Sequence, residues 1–281
     1  MTNINICVNS FGLGRYLHNG ADTVWDGLRA AGVTGIEPCV AFRPIPTFVR
    51  VLKNGLFDGV FSKAKAPALI DGLRNQGFEV YSFHLQNTPF TLREMKKALL
   101  FTQENALDFC VYSFMSGSTE KIRSRAPVIR EAAALFRAGG KELLIHNHDM
   151  EWRQNGGTCV MRWLLENVPE IRFELDLGWT QYAGVDAVGL LREFPDRFPL
   201  LHIKEIAVGA TAHTGKPFCT APGEGILLLE QLIDEAKRMP LGPRSLIIDQ
   251  DDSIRGDIVG DVAKGIVNIR RLCDTKNQQQ E

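Results

Sequence analysis

Glu142-Leu143-Leu144-Ile145-His146-Asn147-His148 is the stretch on which the fold turns: a short apolar run that ends on side chains able to bind a metal or move a proton. The pattern returns downstream, with Ile171 to Asp176 ending on Asp176, Leu200 to Lys204 carrying His202, and Ser245 to Asp249 ending on Asp249. Toward the N-terminus, Ile4 to Asn9, Gly35 to Val40, Phe78 to His84 and Phe109 to Ser113 are further strand candidates, and Glu142 to Asn147 is the fifth. Between them lie amphipathic segments with apolar residues three and four apart, for instance Ala66 to Asn75, Lys121 to Ala138 and Leu227 to Met239, which predict helices. About eight strand-then-helix units are what a closed parallel barrel requires, so the fold class is α/β and the predicted architecture is a (β/α)8 TIM barrel. The rival is an open doubly wound sheet. It normally carries a glycine-rich phosphate loop after its first strand, and Asn9-Ser10-Phe11-Gly12-Leu13-Gly14 is a poor G-x-G-x-x-G.

A length of 281 residues suits one such barrel. No Pro/Ser-rich linker or composition break divides it, so residues 1–273 are expected to form a single domain, followed by a polar, Gln-rich tail at 274–281 that is expected to be flexible. Two stretches exceed an ordinary barrel loop, Ala41 to Lys65 and Ile206 to Gly225, and loops on that side of a barrel usually form the active-site rim. With 32 Lys+Arg against 33 Asp+Glu, the net charge of -1 offers no basic stripe for a nucleic-acid backbone, so a small ligand is the better expectation. The six cysteines are spread without a C-x-x-C pair or zinc-finger spacing and read as reduced core thiols. Neither a signal-like N-terminus nor an apolar run long enough to span a membrane is found, which points to a cytoplasmic protein with no membrane partner.

The informative residues close the strands. His84, His146 with His148, Asp176, His202 and Asp249 fall at or just past strand C-termini, and a parallel barrel delivers all of those ends to one face. Two imidazoles and two carboxylates converging there make a divalent-metal site with mixed nitrogen and oxygen ligands. Each residue alone has a plainer account. A lone His at a strand end is more often hydrogen-bonded core or rim, Asp176 can cap the next turn, and Asp249 in Asp249-Gln250-Asp251-Asp252 can sit among acids at a helix N-terminus. Four such residues on the fifth to eighth strands together favour the metal.

Five segments in this order also resemble the successive motifs of the xylose isomerase-like barrels, the sugar phosphate isomerase/epimerase superfamily. They are His146-Asn147-His148-Asp149-Met150-Glu151-Trp152, Glu174-Leu175-Asp176-Leu177-Gly178-Trp179 with Ala183-Gly184-Val185-Asp186, Leu201-His202-Ile203-Lys204-Glu205, Pro222-Gly223-Glu224-Gly225 and Ile248-Asp249-Gln250-Asp251. The resemblance covers the second half in detail and the first half only by its strand-helix rhythm. It implies one divalent ion, Mn, Co, Zn or Mg, held by His146, Asp176, His202 and Asp249. The family most often has Glu at the first and last of these places, where the two carboxylates double as acid/base groups. This chain departs at both: His146 resembles the branch with H-x-H on the fifth strand, which includes inosose dehydratase-like and 3-keto-glycoside-processing proteins, and Asp249 is one methylene shorter than Glu.

The resemblance implies a divalent-metal-dependent isomerase or epimerase acting on a keto-sugar or related polyol through an enediolate. The runner-up is a lyase or dehydratase on a keto-inositol or 3-keto-glycoside. His148 is the candidate base, because imidazole titrates near working pH. Asp249 combines metal binding with acid/base work, and Lys204, on the same face as His202, is expected to hold a substrate hydroxyl or the enediolate, against an equally weighted rim salt bridge. His84, Glu37 and Trp179 are candidate substrate contacts, with a structural pairing as the plain alternative for Glu37 and core packing for Trp179 and Trp152. Glu151 is a candidate to orient a fifth-strand imidazole. Gly223-Glu224-Gly225 reads as a tight turn rather than a phosphate site. Two further classes compete. A DNA-cleaving branch of the fold with three zinc ions needs more ligands than six His help supply and a basic rim. A sugar-binding barrel without catalysis would have lost metal affinity through the changes at His146 and Asp249. The expected partner is a small carbohydrate, and a homodimer or homotetramer is the expected assembly.

Overall fold

The computed structural model describes residues 5–46, 57, 59–154 and 156–274, so residues 275–281 of the expected tail and residues 47–56 and 58 of the first long loop lie outside it. Ten strands are described: β1 (Asn5–Asn9), β2 (Gly35–Glu37), β3 (Cys39–Ala41), β4 (Val60–Ser62), β5 (Ser82–Gln86), β6 (Phe109–Ser113), β7 (Glu142–His146), β8 (Arg172–Asp176), β9 (Leu200–Ile203) and β10 (Ser245–Ile248). They form one sheet in the order β2-β1-β10-β9-β8-β7-β6-β5-β3-β4, and every pairing between them is parallel.

The expected second strand is split into β2 and β3 at Pro38, which has no N–H to give a ladder. β2 pairs with β1, and Ile36 N also donates to Glu79 O while Glu79 N donates to Thr34 O. β3 then runs beside β5, so the ring closes as a barrel of eight strand positions. β4 is an addition within the first long loop. It pairs with the other edge of β3, and Ser10, just past β1, donates its Oγ to Gly59 O at 2.7 Å.

The helices that cover the barrel are α1 (Gly14–Ala30), α2 (Ala66–Asn75), α3 (Leu92–Glu104), α4 (Thr119–Ala138), α5 (Val160–Asn167), α6 (Leu177–Tyr182), α7 (Ala187–Glu193), α8 (Leu229–Arg238) and α9 (Ile258–Asp274), with a 3-10 turn at Asp149–Trp152. Side-chain caps start several of them. Thr91 accepts from Glu94 N, Ser118 from Lys121 N, Asp176 from Trp179 N and Asp186 from Gly189 N, each worth roughly 1 kcal/mol. Outward strand residues such as Phe83, Ile145, Leu175, Ile203 and Ile248 pack against Ile70, Met95, Phe136, Leu164 and Ile233 in the main core.

The inward residues form two layers. Near the strand N-termini, Cys7, Phe109, Val111, Leu144, Leu200 and Ile247 close the barrel with a separate apolar cluster. Two residues further along the same strands, and so on the same face, stand Asn9, Ser113, His146, His202 and Asp249. No helix among the described residues is long and apolar enough to cross a membrane.

Candidate metal centre

Strands β7, β8, β9 and β10 bring His146, Asp176, His202 and Asp249 together: one ligand atom from each lies within 4.8 Å of the others, and all four side chains are buried. His202 Nδ1 is 3.3 Å from Asp249 Oδ2, and His146 Nε2 is 3.9 Å from Asp176 Oδ2. Asp176 is held from behind, its Oδ1 accepting from Trp179 N at 2.7 Å and its backbone N–H donating to Asn147 Oδ1 at 3.0 Å. The cap expected for Asp176 therefore exists, and it occupies only one of the two oxygens. Asp176 Oδ2 and Asp249 Oδ1 are buried without a hydrogen-bond partner. Two orphaned carboxylate oxygens beside two imidazoles leave a gap in the hydrogen-bond accounting that a divalent cation could fill, and an N2O2 set suits such an ion.

The charges agree. Burial pushes the Asp176 carboxyl up to about 7 against the pull of Lys204. Burial also acts on His202, but Glu174, Asp249 and Glu37 around it outweigh that and hold its ring well above the usual imidazole range. Asp249 lies far below the carboxylate range, because Lys204 and His202 overcome its burial. In the protein alone, positive charge at the centre thus comes from His202 and Lys204.

His148 lies beside this centre, its ring 5.0 Å from that of His146 and 6.1 Å from that of Trp179, with Nδ1 buried and unpartnered. Its expected titration near working pH does not hold. Burial, reinforced by Lys204 and His84, pushes it down to about 3, so the ring is neutral over the ordinary pH range. Lys204 makes the salt bridge weighed against a substrate contact: Nζ is 2.9 Å from Asp249 Oδ2 and 2.8 Å from Asp251 Oδ2, and 5.6 Å from the Trp179 ring centre.

Two of the expected substrate contacts, Glu37 and His84, and Glu151, expected to orient an imidazole, all lie buried among protein partners. Glu37 is buried beneath the imidazoles with its oxygens occupied by Asn9 Nδ2 at 2.7 Å, Ser82 Oγ at 2.5 Å and His202 Nε2 at 3.2 Å. The bond and charge of His202 outweigh burial and hold its carboxyl at about 2. Glu151 is also fully buried, and it orients backbone rather than an imidazole: its oxygens accept from Ser116 N at 2.7 Å and His148 N at 2.9 Å. Burial raises it to about 7. His84 is fixed by a 2.9 Å bond between Nε2 and Ser113 Oγ, its ring 4.8 Å from that of His146.

Trp179 sits under the long loop after β9. His213 stacks on it at 5.2 Å, Phe218 lies 5.5 Å away, and His213 Nε2 is 3.0 Å from Asp149 Oδ1. Trp152 belongs to the main core, as its plain reading has it. The Gly223-Glu224-Gly225 segment is a turn tied by Glu205, whose carboxylate accepts from Gly223 N at 2.8 Å and Leu227 N at 2.9 Å.

Sequence reasoning missed Glu174. It stands two residues before Asp176 on the inward face of β8, fully buried, with Oε2 3.0 Å from His146 Nδ1 and 3.1 Å from His202 Nε2. The available signal was a charged residue in phase with Asp176 inside an otherwise apolar strand.

No family model and no curated protein sequence matches the chain. Solved structures do. A sugar phosphate isomerase/epimerase from Parabacteroides distasonis superposes with a TM-score of 0.66 at 17% identity, over 95% of this chain and 93% of that one. The IOLI protein with a bound zinc atom gives 0.64 at 12% identity, over 96% of each chain. A probable 3-DHS dehydratase of Bacillus anthracis, AsbF, involved in petrobactin synthesis, gives 0.63 at 14% identity, over 94% of this chain and 99% of that one. At such identities the likeness is one of fold, and it agrees with the closed ring of strands: the chain folds as a TIM barrel, as those structures do.

Proposed function

We propose that the protein is a divalent-metal-dependent isomerase or epimerase of a keto-sugar or related polyol. The observation that carries this reading is the convergence of His146, Asp176, His202 and Asp249 within 4.8 Å, with Asp176 Oδ2 and Asp249 Oδ1 lacking any other partner. These four residues would hold the ion. When bound, it would polarise a ketone and its neighbouring hydroxyl and so acidify the intervening C–H.

The chain's own groups supply the rest. His148, unpartnered at Nδ1 beside the centre, is the group placed to take the proton, as a weak base whose protonation burial opposes. Lys204 keeps Asp249 ionised and puts an ammonium beside the place where negative charge develops on the substrate. Trp179 of α6 packs with Ile206, Ala212 and Phe218 of the long loop in a buried apolar cluster that would exclude water on that side.

The lyase reading has one observation in its favour. Asp249 Oδ2 is tied to Lys204 and the side chain is short, so it is poorly suited to return a proton on the opposite face, and a single base on one face suits elimination. Solvent deuterium exchange followed by NMR on a panel of keto-sugars and keto-inositols tests the proposal. Deuterium beside the carbonyl of a re-isolated isomer supports isomerisation, loss of a β-oxygen substituent supports the lyase, and no C–H exchange with any member of the panel defeats both.

A further inference from the structure

The centre contains more buried charge than four ligands need. Beneath His146 and His202 lie Glu174 and Glu37, inward on β8 and β2, with His84 between them. One atom stands in the middle of this layer: Glu174 Oε2 is 3.0 Å from His146 Nδ1, 3.1 Å from His202 Nε2 and 3.7 Å from His84 Nδ1. The first two are hydrogen-bond distances and the third is not. His84 is held instead through its other nitrogen by Ser113 Oγ at 2.9 Å.

With Glu174 Oε2 as the accepting oxygen, His146 Nδ1 and His202 Nε2 are the nitrogens that carry a proton toward it. His146 then has its proton on Nδ1 and a lone pair on Nε2, the atom facing Asp176 Oδ2. His202 has its proton on Nε2, and an ion held with Asp249 Oδ2, 3.3 Å from Nδ1, would take the place of the proton on that second nitrogen. The two rings must take opposite tautomers for both to present a nitrogen to the same space, and Glu174 Oε2, sharing the His202 N–H with Glu37 Oε1, imposes both. Glu37 backs the arrangement on the His202 side, with Oε1 3.2 Å from Nε2, while Asn9 and Ser82 hold its carboxylate in place.

We propose that Glu174 is a positioning residue for the metal centre, its Oε2 taking the N–H of both ring ligands so that His146 presents Nε2 and His202 presents Nδ1 to the ion. This rests on the metal-centre reading under the proposed function. It adds that ring choice at the centre is set from below by one side chain that does not itself bind the ion. A carboxylate behind a metal-bound imidazole commonly alters affinity by about 10- to 100-fold. Here one carboxylate serves two imidazoles, so the upper part of that range is expected for its removal.

The test uses the full-length chain with histidines labelled with nitrogen-15, together with Glu174→Leu and Glu174→Gln. In zinc-loaded wild type, the imidazole nitrogen shifts should show His146 protonated at Nδ1 and His202 at Nε2, with one zinc per chain. By calorimetric titration, Glu174→Leu should bind zinc about 10- to 100-fold more weakly, and its metal-free melting temperature should fall as well, since buried imidazole N–H groups lose their acceptor. Glu174→Gln retains an accepting oxygen and should lie between wild type and Glu174→Leu. If Glu174→Leu does not fold, the wild-type tautomers and the Glu174→Gln affinity decide. Identical tautomers on the two rings, unchanged zinc affinity in folded Glu174→Leu, or a second zinc bound through Glu174 would overturn the inference while leaving a metal centre intact. A wild type that binds no divalent ion defeats both the centre and this inference.

Discussion

The two ends of the barrel interior are built on the same strands, two residues apart, and have opposite chemistry. At the N-terminal end Val111, Leu144, Leu200 and Ile247 fill the lumen with apolar volume. One inward position later, Ser113, His146, His202 and Asp249 fill it with polar and charged groups, joined by Glu37, Glu174 and Asp176. The first end is the cheaper way to close a barrel, since each fully buried aliphatic side chain stabilises by roughly 1.5–3 kcal/mol. The second costs desolvation of several ionisable groups, which neighbouring charges offset only in part. A barrel that accepts this cost at one end is stabilised at the other, and its polar end is where chemistry is placed.

The largest effects that separate the ends concern the ion. Asp176→Ala and His202→Ala should each reduce the divalent metal retained after chelator-free purification from about one ion per chain to nearly none, as elemental analysis would show. Retention in either variant would remove the distinction, leaving the polar end as an ordinary ion-pair network. Next, His148→Ala should keep the metal and lose about 10²- to 10⁴-fold in turnover on whichever substrate exchanges deuterium. Metal loss in His148→Ala with retention in His146→Ala would mean that the two histidines exchange roles.

The apolar end should answer in stability alone. Leu200→Ala, two residues before His202 on the same face of β9, should cost about 2–5 kcal/mol in denaturant unfolding while metal content stays unchanged. A smaller effect comes from pH. Burial raises the Glu205 carboxyl from 4.5 to about 7, although the Leu227 and Gly223 N–H groups pull the other way. Between those values the folded chain holds a proton that the unfolded chain has lost, so stability should fall as pH rises through the window, by on the order of 3 kcal/mol in all. Glu205→Gln should flatten that part of the stability profile, and an unchanged slope would assign it to other groups. At the apolar end, burial pushes the Cys7 thiol up to about 12, so it adds nothing to the slope.

The same comparison explains what could be read from sequence. Strands five to eight announce themselves because an apolar run must stop where its side chains meet the polar end, and His146, Asp176, His202 and Asp249 mark that stop. Helix α2 falls at Ala66–Asn75, as its apolar spacing predicts. The first half is less legible. Pro38 divides the expected second strand, β4 lies inside a stretch expected to be loop, and the third strand begins at Ser82 rather than Phe78, with Glu79 contributing only a single bridge. Backbone bonds from other parts of the chain settle these points, and they leave no local trace. Glu174 and Glu37 are hard to assign because a mid-strand carboxylate looks the same in sequence whether it faces substrate or the underside of two imidazoles. The basicity of His148 is misjudged from sequence for a related reason: burial, which sets it, is a property of the closed barrel.

The parallel register has a consequence for folding. Leu200 lies opposite both Ser245 and Glu174, and His202 opposite both Ile247 and Asp176. A one-residue slip of β9 would turn every inward side chain outward, and ordinary hydrophobic patterning forbids it. A two-residue slip keeps inside in and outside out, so patterning alone does not oppose it. In this chain such a slip would set Leu200 opposite Asp176 in the place of His202, or bring His202 down to the level of the apolar plug, and either way part buried charges from their partners, at several kcal/mol. The ring of ionisable residues therefore also acts as a proofreader of strand alignment, rejecting the one class of misfolded barrel that greasy alternation lets through.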